Sequence, residues 1–238
     1  MNVVAGVLLA AEGVYMLLTS NDLALPVTAS FLRTDPVAAT GGTPPDTVFS
    51  LGIGVAVAVF VLLAAVDHFT VAAPGVRRWY ERGLSLRSNY ARWVEYSVSA
   101  SIMIVLIGMF VGIRDLAALM GIFAANTAMI LFGLVMERQQ RPGEADWSAF
   151  WYGSLVGLVP WVAIAVYVAQ PASVPVFVYV IVVVQFVLFF SFAANMALQY
   201  AQVGRWRDYV FGELVYVVLS LTAKSLLAWL IFANVLRS

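Results

Sequence analysis

Apolar residues run along this chain in seven blocks. Each is long enough to cross a lipid bilayer as a helix, which takes about 20 residues. The blocks cover 2–20, 47–71, 88–113, 115–137, 149–169, 174–199 and 209–236. Polar or Pro/Gly-rich breaks divide them. Ile113-Arg-Asp115 and Gln170-Pro-Ala-Ser173 read as tight turns, and Arg138-Gln-Gln-Arg-Pro-Gly-Glu-Ala-Asp146 as a polar loop. Only 21–46 is too long for a simple turn. Within it, 25–32 has strand character and Thr40-Gly-Gly-Thr-Pro-Pro45 can turn the chain back, which predicts a small β-hairpin over one end of the bundle. The predicted fold is all-α and integral to the membrane: one seven-helix domain over 1–238, with a β-hairpin in its first loop. No internal repeat is visible, which argues against an inverted-repeat transporter. The first block has no basic segment before it and reads as a spanning helix rather than a cleaved signal peptide.

Composition agrees. The chain is 63% hydrophobic and 11% charged, with mean hydropathy +0.93, against roughly 45–50% apolar and 25% charged in soluble domains. Its partner is the lipid bilayer. Net charge is zero, so no nucleic-acid partner is implied, and with no cysteine there is no disulfide framework. The charges set an orientation. Arg77, Arg78, Arg82, Arg87, Arg138, Arg141, Arg205 and Arg207 fall in the loops between spans two and three, four and five, and six and seven. Arg33, Arg114 and Arg237 fall at the other end. The arginine excess predicts a cytoplasmic N-terminus and an extracellular C-terminus, with 21–46 outside.

One lysine occurs in the chain, and it lies where lysine is least welcome. Lys224 is in the middle of the seventh apolar block, where insertion costs roughly 2.5–3.5 kcal/mol. A Schiff base to an aldehyde, with a carboxylate counterion, is one arrangement that compensates this cost. Glu95, about two turns into the third block, is a candidate partner; the plainer alternative pairs it with Arg92 on its own helix face. Ser220 shares the face of Lys224 one turn earlier. Glu213, eleven residues before Lys224, either joins a polar chain on that face or snorkels to the interface. His68, the only histidine, is preceded by Asp67 and matches Glu95 in depth, which suits a proton acceptor. Glu12 sits mid-depth in the first block without a basic neighbour, and is costly unless it faces the interior. Trp161, Phe186, Phe189, Phe190, Phe192 and Trp229 suit either packing or a slot for a polyene. Met103, Asn126 and Met129 are placed to face the same cavity. Gly153-Ser-Leu-Val-Gly157 is a small-residue face for close helix packing, either within the chain or between two copies.

These segments resemble a known family. Seven spans, a lysine in the seventh and a carboxylate in the third are similar to microbial rhodopsins. Arg92-Trp-Val-Glu-Tyr-Ser-Val-Ser-Ala-Ser, Asp67-His-Phe, Phe192-Ala-Ala-Asn-Met-Ala-Leu-Gln-Tyr and Ser220-Leu-Thr-Ala-Lys-Ser resemble heliorhodopsins in particular. The orientation, opposite to that of ordinary microbial rhodopsins, and the long first loop fit the same resemblance. It implies all-trans retinal bound covalently to Lys224 as a protonated Schiff base, with Glu95 as counterion. Ser220, His68 and Phe189 then match family positions around that site, and Tyr96, Ser99, Met103, Asn126 and Trp161 are expected to complete it. The resemblance also implies a homodimer using helices four and five, light sensing with a slow photocycle, and no ion pumping. One departure stands out. The family pattern Leu-His-x-x-Gln in helix one is here Leu8-Leu-Ala-Ala-Glu12, so the cavity loses an imidazole and gains a possible carboxylate.

Three functions compete on these residues. A light-sensing retinal protein is the first, with a cytoplasmic signalling partner that the sequence does not name. A light-driven proton pump or light-gated channel is the second. A pump needs a proton donor beyond the Schiff base, yet Leu106, Ile107 and Gly108 lie three turns past Glu95 and none can carry a proton. The third is a retinal-free transporter or scaffold, in which Lys224 is simply ion-paired. No enzyme activity and no metal site are expected.

Overall fold

The computed structural model describes residues 1–31, 44–170 and 173–237. Among them are eight α-helices: α1 (Asn2–Thr19), α2 (Ile53–Ala72), α3 (Pro74–Ser85), α4 (Tyr90–Phe110), α5 (Leu116–Gln139), α6 (Ser148–Ala169), α7 (Val176–Tyr200) and α8 (Tyr209–Ile231). All but α3 are long and apolar enough to span a bilayer, α8 continuing through a π turn to Leu236. The chain is a multi-pass membrane protein. Short polar residues set several helix starts. Asn89, Asp115 and Asp208 each accept a hydrogen bond from a backbone N–H in the first turn of α4, α5 and α8, satisfying donors that would otherwise be orphaned.

The predicted hairpin is present. β1 (Ala24–Ala29) pairs antiparallel with β2 (Asp46–Gly52), from Ala24 opposite Gly52 to Ala29 opposite Asp46, with a register irregularity at Val27/Thr28. Pro26 is tolerated because a two-stranded sheet has only edges. Of the segment expected to turn the chain, residues 40–43 lie outside the described residues. The hairpin takes residues 47–52 from the second apolar block, so α2 begins at Ile53 rather than near 47. It is tied to the bundle at three places. The Thr28 N–H donates to the Arg114 carbonyl at the α4–α5 turn (2.9 Å), the Ile53 N–H to the Leu23 carbonyl (2.8 Å), and the Asn21 N–H to the Leu236 carbonyl (3.0 Å).

The sequence pattern missed α3. A stretch read as a charged break folds into a 12-residue helix, with Pro74 in its first turn, where proline costs no hydrogen bond. Val76, Tyr80 and Leu84, spaced one turn apart, are half-buried, while Arg77, Arg78, Glu81 and Arg82 are exposed. The core lies along the bundle axis, where Leu9, Phe60, Met103, Ile104, Leu106, Ile107, Ile164 and Leu227 are fully enclosed. Gly153 and Gly157 face α5 of the same chain. A Cβ on Gly157 would run into the Met129 side chain, and one on Gly153 would meet Phe132. The small-residue face therefore packs against α5 within the chain.

Candidate functional site

Lys224 is only 3% exposed. Its Nζ lies 3.2 Å from Glu95 Oε2 and 2.6 Å from Ser220 Oγ, donating to both. The Tyr96 ring stands 4.7 Å from Nζ, a cation–π contact. Helical geometry produces this arrangement. Ser220 is one turn before Lys224 on α8, and Glu95 and Tyr96 are neighbours in the second turn of α4. A buried ammonium is tolerable only with such partners, since breaking a buried pair typically costs about 3–5 kcal/mol.

A cavity of about 600 Å³ opens from this pair between α4, α5, α6, α7 and α8. Lys224, Ser220 and Tyr96 are at its polar end; Met103, Met129, Trp161, Phe189 and Phe192 are among its apolar walls. Trp161 is held edge-on by Phe186 and Phe189, with ring centroids 5.2 and 5.4 Å away. Trp161 and Phe189 thus pack against each other and line the cavity at once, whereas Phe186 only backs Trp161, and Trp229 packs away from the cavity against Tyr15 and Phe232.

A second, small polar cavity of about 20 Å³ lies on the other side of Glu95, with room for one water. Asp67, His68, Tyr80, Asn89, Arg92, Glu95, Tyr96 and Glu213 all line it. The depth match between His68 and Glu95 is therefore a shared cavity. Glu95 Oε1 has no hydrogen-bond partner, and neither does the fully buried Ser99 Oγ one turn later. Tyr80 comes from α3, outside the spans, and burial pushes its phenol above the usual tyrosine range.

Arg92 does not pair with Glu95. Its Nη2 is 2.8 Å from Glu137 Oε2 on α5 and its Nε is 3.1 Å from Glu213 Oε2 on α8. The guanidinium is sandwiched 4.0 Å from both the Trp93 and Tyr216 rings. Asn89 adds two hydrogen bonds, from its backbone N–H to Glu137 (2.7 Å) and from its amide to Glu213 (2.6 Å); the Tyr209 hydroxyl donates to Glu137 (3.1 Å). Glu213 is thus part of a buried polar network and does not snorkel. Glu137, Asn89, Tyr209 and Tyr216 were missed in the sequence. Glu137 ends an apolar block beside Arg138 and looks like a boundary residue; only its pairing across the bundle reveals its role.

Three expected cavity residues are placed elsewhere. Ser99 is fully buried within the bundle and lines neither cavity. Asn126 is buried but does not line the large cavity. Its amide donates to Ser101 Oγ (3.0 Å), which also contacts Thr127, so it joins α4 to α5. Glu12 lines neither cavity. It is half-buried and accepts a hydrogen bond from Ser225 Oγ at 2.7 Å, next to Lys224 along α8. Gln185, which the sequence did not single out, is fully buried and donates to the Ala223 carbonyl (3.1 Å) beside the lysine.

Seven crossing helices, with a buried lysine–carboxylate pair between the last and the third, define a rhodopsin-type membrane protein. Among solved structures, cyanorhodopsin (CyR) N4075R from the cyanobacterium Tolypothrix sp. NIES-4075 has this fold. The TM-score is 0.55 at 16% identity, over 98% of this chain and 88% of that one. No curated protein matches the chain. The family model described as heliorhodopsin matches residues 1–236, and the chain belongs to the heliorhodopsin family. Membership implies retinal bound to a lysine. The residues fit that group: the large cavity is within the size range of small-molecule sites, its walls are apolar and aromatic, and its polar end carries a primary amine.

Proposed function

We propose that this protein is a light sensor that holds all-trans retinal on Lys224, with Glu95 as the counterion. The observation that carries the reading is the buried 3.2 Å Lys224–Glu95 pair, whose lysine lines the polar end of the 600 Å³ apolar cavity, in a chain with no other lysine. Retinal bound there supplies visible-light absorption and photoisomerisation. The protein's own groups do the rest. Glu95 holds a positive charge at Nζ, and the Ser220 hydroxyl one turn earlier lies against that nitrogen and helps to orient it. Tyr96 offers a π face to the same charge. Met103, Trp161, Phe189 and Phe192 exclude water and fix the orientation of a long apolar ligand. His68 and Glu95 share a water-sized cavity, within which a proton can be taken up and returned.

The same reading places the arginine-rich end in the cytoplasm, with the N-terminus inside and the C-terminus and hairpin outside, on the arginine excess. The whole chain, 1–238, acts as one retinal-binding domain with a slow photocycle, as a homodimer that signals to a cytoplasmic partner. Pumping or channel activity is the alternative. It is disfavoured by the fully buried, apolar Leu106 and Ile107 on the far side of the pair. The test is spectroscopic. Apoprotein given all-trans retinal should develop a visible band, and illuminated vesicles should show no sustained ion flux. A colourless protein would overturn the retinal reading, and a sustained flux the sensory one.

A further inference from the structure

The residues of α3 outside the light-sensing site form a surface with a definite chemistry. The helix is bound to the bundle at both ends. Only Ala73 separates it from α2, and only 86–89 separate it from α4. It therefore lies at the level where the spans leave the bilayer. Its roll about its own axis is fixed as well: Val76, Tyr80 and Leu84 face the bundle, Tyr80 reaching the cavity beside His68 and Glu95. What remains outward is Arg78, Trp79 and Arg82, one helical turn deep, followed by Leu86. Trp79 is 53% exposed and Leu86 71%. Arg77 is neutralised by Glu81 at 2.7 Å. Arg78 and Arg82 meet no carboxylate among the described residues.

Bare guanidiniums flanking an exposed indole and an exposed leucine make a poor water-facing surface. They make a good interfacial one. Indole rings favour the headgroup level, arginine stems lie along apolar surface while their heads reach phosphate, and a basic amphipathic helix is drawn to anionic lipid. Arg138, Arg141, Arg205 and Arg207 add to the positive field at the same end of the bundle. A partner protein would have to approach over the headgroups to reach this face, whereas the headgroups already lie beside it.

We infer that α3 is an interfacial docking helix for an anionic lipid surface, with Arg78 and Arg82 on lipid phosphates and Trp79 and Leu86 inserted among the headgroups.

The chain has no cysteine, so Ser85→Cys, exposed at the end of this face, accepts a single environment-sensitive fluorophore. The labelled protein is reconstituted in nanodiscs of phosphatidylcholine, with or without phosphatidylglycerol. Both faces of a nanodisc are accessible, so the result does not depend on which end is cytoplasmic or on bound retinal. Phosphatidylglycerol should shift the emission to the blue and lower quenching by aqueous iodide severalfold, and high salt should reverse both. Arg78→Gln with Arg82→Gln should abolish the lipid dependence, with an unchanged circular dichroism spectrum as the folding control. Equal emission in the two discs would overturn the proposal and leave the face to a protein partner. So would a phosphatidylglycerol response that persists in the double variant, or one reproduced by soluble glycerol phosphate.

Discussion

Lys224 and Glu95 are 129 residues apart in sequence and 3.2 Å apart in space, and each is the nearest charged partner of the other. The arrangement is self-consistent. A lysine this deep needs a carboxylate, and Glu95 is freed for it because Arg92, one turn away, is claimed by Glu137 and Glu213. Lys224→Ala should therefore give folded protein with no visible band after retinal is added. A band that persists would refute the assignment, since this sequence has no other lysine.

Glu95 and Glu12 are separable by colour. Removing the carboxylate beside Nζ destabilises positive charge there, so Glu95→Gln should move the visible band to the red or convert it to a near-ultraviolet band at neutral pH. Glu12 hydrogen-bonds Ser225 rather than Lys224 and lines neither cavity. Glu12→Gln should leave the band essentially in place. A spectrum that responds to Glu12→Gln and ignores Glu95→Gln would reverse the two roles.

Much of this site was legible in the sequence because the membrane makes charges rare. With one lysine, one histidine and few carboxylates in apolar blocks, helical spacing alone aligned Ser220 with Lys224 and set Glu95 and His68 at one depth. What was not legible depends on which helices face each other. Nothing local distinguishes Glu137 from an interfacial residue, or shows that Arg92 reaches across to α5 and α8. Asn126 is polar and mid-helix, which suits the cavity and a helix-joining bond equally; its contact with Ser101 decides between them. The α3 helix was hidden for another reason. Its charges match a loop, and its apolar period is short, only Val76, Tyr80 and Leu84, each half-buried.

Arg92 anchors the network at the α3 end of the bundle. Arg92→Gln would leave Glu137 and Glu213 buried near each other without their shared cation and empty the slot between Trp93 and Tyr216. A loss of about 3–5 kcal/mol is expected, the usual result of removing one partner of a buried pair. Thermal unfolding in detergent should show a large drop in Tm. A Tm within a degree or so of the parent would mean that the cluster contributes nothing net to stability, as can happen when desolvation cancels Coulomb attraction.

Gly157 separates packing within a chain from packing between chains. Because a Cβ there would run into Met129 on α5, Gly157→Leu should destabilise the fold by about 1–3 kcal/mol, the range for overpacked cores. The loss should appear equally in monomeric and dimeric fractions separated by size. Met129→Ala in the same chain should restore part of it by making room. If Gly157→Leu instead yields a stable monomer from a dimeric parent, the glycine face belongs to the subunit interface.

Proton movement should stay on one side of the molecule. His68, Glu95 and Tyr80 surround a cavity with room for a single water, and Glu213, Asn89 and Arg92 close it toward the α3 end with a buried ion-pair network. Beyond the Lys224–Glu95 pair, α4 presents Leu106 and Ile107, both fully buried, and Gly108. Glu12 is the carboxylate nearest in sequence register to that half, and it is held by Ser225. A proton leaving the region of Nζ therefore has an acceptor in the small cavity and no relay of ionisable side chains along α4 to the opposite surface. His68→Phe removes the one group in that cavity whose unperturbed pKa lies near neutrality. It should change the rate at which the visible band recovers after a flash while leaving the dark band in place, because His68 makes no contact with Lys224 comparable to those of Glu95 and Ser220. Cells expressing the protein should show no sustained pH change under continuous light. A sustained change abolished by a proton-conducting uncoupler would require a path through the Leu106–Ile107 barrier and would establish a pump.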